Sequence, residues 1–191
     1  MEHHIIEESR ISAFLFSNTK MAWFWTIIRV YVGWIWLEAG WVKAHKDVWV
    51  GSDAGVALTG FLKGALGKTG GEHPDVQWWY AWFLENVVMK HTVGWSYLVT
   101  YGEILVGVAM IIGALTGIAA FFGLFMNLNY LLAGTVSINP ISFTLSIGII
   151  LAWRISGYFG VDRYLLPALG QWWSPKRISH TQEAPPHQSQ V

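Results

Sequence analysis

Cysteine is absent from the 191 residues. Its absence excludes disulfide staples, CxxC redox relays, thiolate metal sites and a persulfide-carrying nucleophile on this chain. Charge is scarce as well: Asp, Glu, Lys and Arg make up 13% of the sequence, about half the usual share of a soluble domain. The scarcity is concentrated, because the run from Ile104 to Trp153 contains none of the four. A soluble fold of this size has too little polar surface elsewhere to cover such a run. A bilayer span needs about 20 apolar residues, so the run has room for two spans and a turn. Twelve basic and twelve acidic residues leave no net charge, hence no field to attract nucleic acid or anionic lipid.

Other signatures are missing too. The first twenty residues carry Glu2, Glu7 and Glu8 and lack a basic lead into a short apolar core, so no cleavable signal peptide is expected. Gly67-Lys68-Thr69 resembles the end of a phosphate loop, but position 62, where the motif needs glycine, is Leu62. His3, His4, His45, His73, His91, His180 and His187 all fall outside the apolar segments, so no intramembrane haem is expected. No HExxH, Ser-His-Asp order or carboxylate-rich loop occurs, and no metal is expected.

What is present is apolar and aromatic: 53% hydrophobic residues and 13 tryptophans, a residue that favours the headgroup zone of a bilayer. The pattern predicts an all-α membrane protein, a four-helix transmembrane bundle. Its spans are expected near Met21 to Val42, Trp95 to Leu115, Gly117 to Val136, and Asn139 to Gly157. Asn139 is expected to cap the last span and Pro140 to suit its first turn. This domain covers residues 1–173, and residues 174–191 are expected to form a disordered polar tail. The one long loop, 43–94, joins helices 1 and 2. In it Leu58, Phe61, Leu62, Ala65 and Leu66 form one helical stripe, and the segment from Val76 to Met89 is rich in tryptophan. Both pieces are expected to be interfacial amphipathic helices, which either pack plainly against lipid head groups or together form a lid over one end of the bundle. Arg163, Lys176 and Arg177 after the last span favour cytoplasmic termini.

Charged side chains inside the hydrocarbon region cost roughly 2.5–3.5 kcal/mol each, so they need a partner or a task. Arg29 and Glu103 fall nearest the middle of their spans. At 100° per residue, Arg29, Gly33, Trp36, Gly40 and Lys43 share a face of the first helix, and Glu38 lies on the opposite side. Glu103, Gly107, Met110 and Ala114 form a comparable stripe on the second. Arg29 and Glu103 are expected about 9 Å apart in depth, a gap an arginine can largely bridge. The functional reading is a polar pocket with basic groups for an anion and carboxylates for protons. The simpler alternative is an Arg–Glu pair that only fixes helix register. Asn127 and Asn129 are about 200° apart on the third helix, so at most one faces such a pocket.

Several of these residues also resemble a known family. Arg29-x3-Gly33 with Ala39-Gly40-Trp41-Val42-Lys43, then Tyr101-Gly102-Glu103-Ile104-Leu105-Val106-Gly107 and Ile112-Gly113-Ala114-Leu115-Thr116, and finally Gly157-x2-Gly160-x-Asp162, are similar in order to motifs of DoxX/DoxD-type membrane proteins. The Trp-rich loop resembles the DoxD branch. The resemblance implies the large, membrane subunit of a thiosulfate:quinone oxidoreductase, which oxidises thiosulfate to tetrathionate and passes electrons to membrane quinone. On that reading Glu103 and Arg29 are catalytic, and Lys43, Glu38, Trp36 and Asn127 bind substrate. The implied partners are the lipid bilayer, membrane quinone and a small DoxA-like subunit, with homo-oligomerisation left open. The implied location is the prokaryotic plasma membrane. The alternative is a non-enzymatic DoxX-like scaffold that tethers soluble redox or sulfur-metabolism enzymes.

Overall fold

The computed structural model describes residues 9–173. The expected tail at 174–191, and His3, His4, His180 and His187, lie outside the described residues. Every regular element within them is helical. Ser9 caps α1 (Arg10–Ser17) by accepting from the Ser12 amide at 3.2 Å. Asn18 caps the short turn after it by accepting from the Lys20 amide at 2.9 Å. The chain then enters α2 (Ala22–Ala44), whose start and end lie close to those expected for the first span.

The long loop is folded. It contains α3 (Val56–Leu66) and α4 (Trp78–Phe83). The Trp-rich segment is not a separate interfacial helix. It runs on from α4 through a π turn at Leu84–Val88 and a 3-10 turn at Met89–His91 into α5 (Thr92–Ile112). The predicted stripe on α3 is the one that packs. Leu58, Leu62 and Ala65 are buried with Val76, Tyr80, Leu84, Val88 and Ala133, and Phe61 and Leu66 flank them.

Gly113, at φ 69°, ends α5 in the left-handed conformation that L side chains rarely adopt. α6 (Thr116–Leu132) follows, then α7 (Asn139–Leu151), α8 (Trp153–Ser156) and α9 (Asp162–Trp173). Asn139 is the first residue of α7 rather than its cap, which is Ile138. Its amide instead donates to the Thr135 carbonyl at 3.0 Å. The fourth expected segment is broken at Ala152, where α7 ends and α8 begins.

The main packing is α2 on α5 and α6 on α7, with α5–α6 and α2–α7 contacts completing a four-helix arrangement. Glycines allow α2 and α5 to approach closely. A Cβ on Gly40 would lie 2.8 Å from the Ile104 amide nitrogen and 2.9 Å from the Thr100 carbonyl oxygen. A Cβ on Gly107 would collide with the Leu37 backbone. Small-residue contacts of this kind are the usual basis of tight helix pairs in lipid.

The distribution of polarity is inverted. Arg29, Ser96, Thr100, Glu103, Thr116, Asn127, Ser142 and Ser146 are buried, whereas Trp23, Ile27, Trp34, Leu98, Leu105, Phe121, Phe125 and Ile141 face outward. The stretch Trp78–Ile112 is long and apolar enough to cross a membrane by length and composition. α6 has 17 residues and α7 has 13, short of the roughly 20 of a simple span.

Two glycines of α5 give opposite expectations. Gly107→Ala places a methyl in the Leu37 backbone and should destabilise the protein by about 1–3 kcal/mol. Gly94→Ala meets nothing within 4 Å and should be neutral or slightly stabilising, since alanine favours helix. Thermal melting in detergent compares the two, and equal melting temperatures would contradict the close α2–α5 contact.

Candidate functional site

Because α2 and α5 run antiparallel with Gly40 opposite Thr100 and Ile104, the last turn of α2 lies beside the middle of α5. Lys43 therefore reaches Glu103, with Nζ at 2.7 Å from Oε1 and 2.6 Å from Oε2. The Glu103 side chain is 1% exposed and that of Lys43 18%. From α6, the Tyr130 hydroxyl donates to Glu103 Oε1 at 2.6 Å. Charge-assisted bonds of this length are the strong class, and they compensate a carboxylate that burial would otherwise penalise heavily. The Lys43 ammonium also lies 5.3 Å from the centre of the Trp49 ring and 6.0 Å from that of Tyr130.

This triad opens on a cavity of about 260 Å³. Ile35, Trp36 and Ala39 of α2 line it, with Asn127 of α6, Ile138 and Ser142 near the start of α7, and Trp49 and Phe61 from the loop. Trp36 stacks on Tyr130 with ring centres 6.4 Å apart and planes at 24°. The loop is tied over this end of the bundle by three polar contacts. Ser96 Oγ donates to the Trp49 carbonyl at 2.6 Å, Tyr80 OH to the Asn129 carbonyl at 3.0 Å, and Lys68 Nζ to the Gly134 carbonyl at 2.6 Å. Of the two loop helices expected from the sequence, α3 contributes Phe61 to the cavity wall and the Trp-rich segment contributes none of the lining residues.

Arg29 is elsewhere. Its guanidinium donates from Nη1 to the Met110 carbonyl, and to the Ile111 carbonyl at 3.1 Å, against the last turn of α5. A Cβ on Gly113 would lie 2.5 Å from that Nη1. Cations at a helix C-terminus satisfy carbonyls that have no partner within the helix. Asp162 secures the same turn by accepting from the Leu115 amide at 2.6 Å and the Thr116 amide at 2.8 Å. The Asp162 amide donates to the Gly113 carbonyl at 2.7 Å. Arg29 lies level with Gly113, and Glu103 beside Gly40. The two charges are about 15 Å apart along the helix axes at 1.5 Å per residue. The alternative of an Arg29–Glu103 pair is therefore not formed, and of the pocket expected to hold both residues only Glu103 lines the cavity.

Of the other residues singled out in the sequence, Lys43, Trp36 and Asn127 line the cavity with Glu103. Glu38 is exposed on the opposite face of α2, as its helical position implied. Asn129 faces α4 and accepts from Tyr80 OH at its Oδ1 at 3.1 Å. Tyr130 and Ser142 were not anticipated. Tyr130 follows Asn127 by three positions on one helix face, which is the signal that could have found it. Among the described residues, no group of three metal-binding side chains is gathered in one place.

A double-mutant cycle checks these pairings. Lys43→Ala alone should cost about 3 kcal/mol, because it strands a buried carboxylate. Lys43→Ala with Glu103→Gln should show a coupling of about 1 kcal/mol or more, whereas Arg29→Ala with Glu103→Gln should add to within about 0.5 kcal/mol. Strong coupling in the Arg29 cycle would contradict the geometry.

The family model described as TQO small subunit DoxD matches residues 79–183, more than half of the chain. TQO is thiosulfate:quinone oxidoreductase, and the description makes DoxD its small subunit where the sequence resemblance implied the large one. The matched segment includes Glu103, Asn127, Tyr130, Ser142 and Asp162, and leaves α2 with Trp36 and Lys43 outside it. No curated protein matches the chain, and no solved structure does. By the extent of the family match, the chain belongs to the DoxD family.

Proposed function

We propose that the chain is a multi-pass protein of the prokaryotic plasma membrane with cytoplasmic termini. Its cavity at Lys43, Glu103 and Tyr130 takes the head group of a membrane quinone, in a thiosulfate:quinone oxidoreductase that also contains a partner subunit. The carrying observation is a buried, triply bonded carboxylate at the wall of a cavity inside an otherwise apolar exterior. Four helices with outward Trp, Phe, Leu and Ile suit lipid, because the polar groups they carry are turned inward. α7 continued by α8, and α6 continued by its turn, supply the remaining length of the third and fourth crossings.

The volume supports a ring rather than a whole amphiphile. At about 260 Å³ it lies below the roughly 300–1,000 Å³ of sites that enclose drug-sized ligands, so the isoprenoid tail would stay in the bilayer. In the overall reaction two thiosulfates lose two electrons to form tetrathionate, and the quinone gains two electrons and two protons. Lys43, which has one N–H beyond the two it gives Glu103, can donate a hydrogen bond to a quinone oxygen, whereas the single O–H of Tyr130 is held by Glu103. Glu103, bonded to both, can exchange a proton with either, which is the acid–base arrangement that quinone reduction requires. Arg29, against the α5 terminus, has a structural role on this reading.

The test is thiosulfate-dependent quinone reduction in membranes with and without the chain. Glu103→Gln should lower turnover by about a hundredfold, the low end for loss of a proton-transfer group. Tyr130→Phe should lower it less. Activity unchanged in Glu103→Gln would refute the catalytic reading. No activity with the partner subunit present would favour a tethering role.

A further inference from the structure

The cavity has a buried floor and a partly exposed rim, and the rim has two chemically different edges. Trp36, Glu103, Asn127 and Ser142 of the floor are buried. Thr135, Ser137 and Asn139, from the turn between α6 and α7, make a polar edge. Ile35 and Ala39 of α2, with Ile138 at the start of α7, make an apolar one, and all three are partly or fully exposed. Ile35, Ala39 and Lys43 follow one another at four-residue intervals, so they form one stripe of α2. That stripe leads from the Lys43 ammonium to the apolar edge. The edge lies in the seam between α2 and α7. Further along, the same seam is shut, because Trp25 of α2 packs on Gly148 of α7 so closely that a Cβ there would lie 2.7 Å from the indole ring. Around the open part of the seam, Tyr31, Trp34 and Ile141 are exposed on the apolar exterior.

From this we infer that the seam between α2 and the start of α7 is a lateral portal for a tailed quinone. The ring enters through it from the bilayer, and the first units of the isoprenoid tail lie against Ile35, Ala39 and Ile138. The inference rests on the quinone reading and deepens it. It makes these three residues determinants of specificity, selecting a ring with an apolar tail over a free polar quinone. A cavity of about 260 Å³ holds a ring but not a tail, so the tail must leave across one edge of the rim. At the polar edge it would take the side chains of Thr135, Ser137 and Asn139 out of contact with water, which costs free energy unless new hydrogen bonds replace the old. At the apolar edge it covers only hydrocarbon, and each buried methylene is favourable. The seam also opens onto the face that the quinone reading places in lipid, so a ligand dissolved in the bilayer reaches the cavity without crossing the head-group zone.

The probes are two radiolabelled quinones with the same ring, one tail-less and one carrying an isoprenoid tail. Each is bound to the purified protein in lipid nanodiscs, with binding to empty nanodiscs subtracted. Ala39→Phe fills the seam and should weaken the tailed quinone by about tenfold or more, while the tail-less one changes by less than about threefold. Ile35→Ala and Ile138→Ala remove apolar contact without adding bulk. Each should weaken the tailed quinone by about three- to tenfold, the effect of one or two methylene groups, and leave the tail-less one unchanged. Leu105→Phe, at an outward position of α5, should alter neither. Melting temperatures report whether each variant keeps the fold, and Ile35→Ala carries the test if Ala39→Phe does not. If the two quinones lose affinity equally in these variants, or neither loses any, the portal is refuted while the quinone reading stands. If neither quinone binds the unaltered protein, the quinone reading falls and the portal with it.

Discussion

The close approach of α2 to α5 is the constraint on which the rest of the structure depends. Gly33, Gly40 and Gly107 let the two backbones meet, and that contact sets a register that a side chain cannot change. Once it is set, Lys43 falls beside Glu103 at one end and Arg29 falls on the terminal carbonyls of α5 at the other. Each charge thereby finds a partner of the appropriate kind, an opposite charge or a helix C-terminus. Neither needs to be carried to water.

The same packing explains how one small domain can hold both polar chemistry and an apolar exterior. Interior positions of α5, α6 and α7 include serine, threonine, asparagine and glutamate beside Val106, Met110, Ala120 and Ile149, while most of their Phe and Leu residues lie toward the outside. The loop completes the enclosure, since Trp49 and Phe61 form part of the cavity wall and α3 and α4 share their own apolar core beside it. Membership of the DoxD family fits this arrangement. The matched segment contains Glu103 and Tyr130, and α2 supplies the lysine from outside it.

Much of this was legible in the sequence, because periodicity reports which residues share a face. Arg29, Gly33, Trp36 and Gly40 are buried together, as are Glu103, Gly107 and Met110, and the α3 stripe packs as expected. What periodicity cannot report is register between helices. Placing each span about its own midpoint put Arg29 too near Glu103, whereas glycine contacts displaced the two by roughly a further helical turn. Tyr130 was missed because an aromatic residue in an apolar run is ordinarily core. Its role depends on a carboxylate 27 positions away in sequence. The third helix was overrun because Gly134 turns the chain at positive φ two residues after Leu132, and the fourth was overrun at its far end, where α7 stops at Leu151.

The central claim is that the cavity at Lys43, Glu103 and Tyr130 is where a quinone head group sits. The most direct measurement is photolabelling of the protein in lipid with a photoreactive quinone, followed by mapping of the modified residues. Labelling concentrated on cavity residues such as Trp36, Phe61 and Tyr130, and suppressed by excess unlabelled quinone, is the predicted result. Labelling confined to outward residues such as Trp34, Leu105 and Phe125, with no competition by unlabelled quinone, would contradict it.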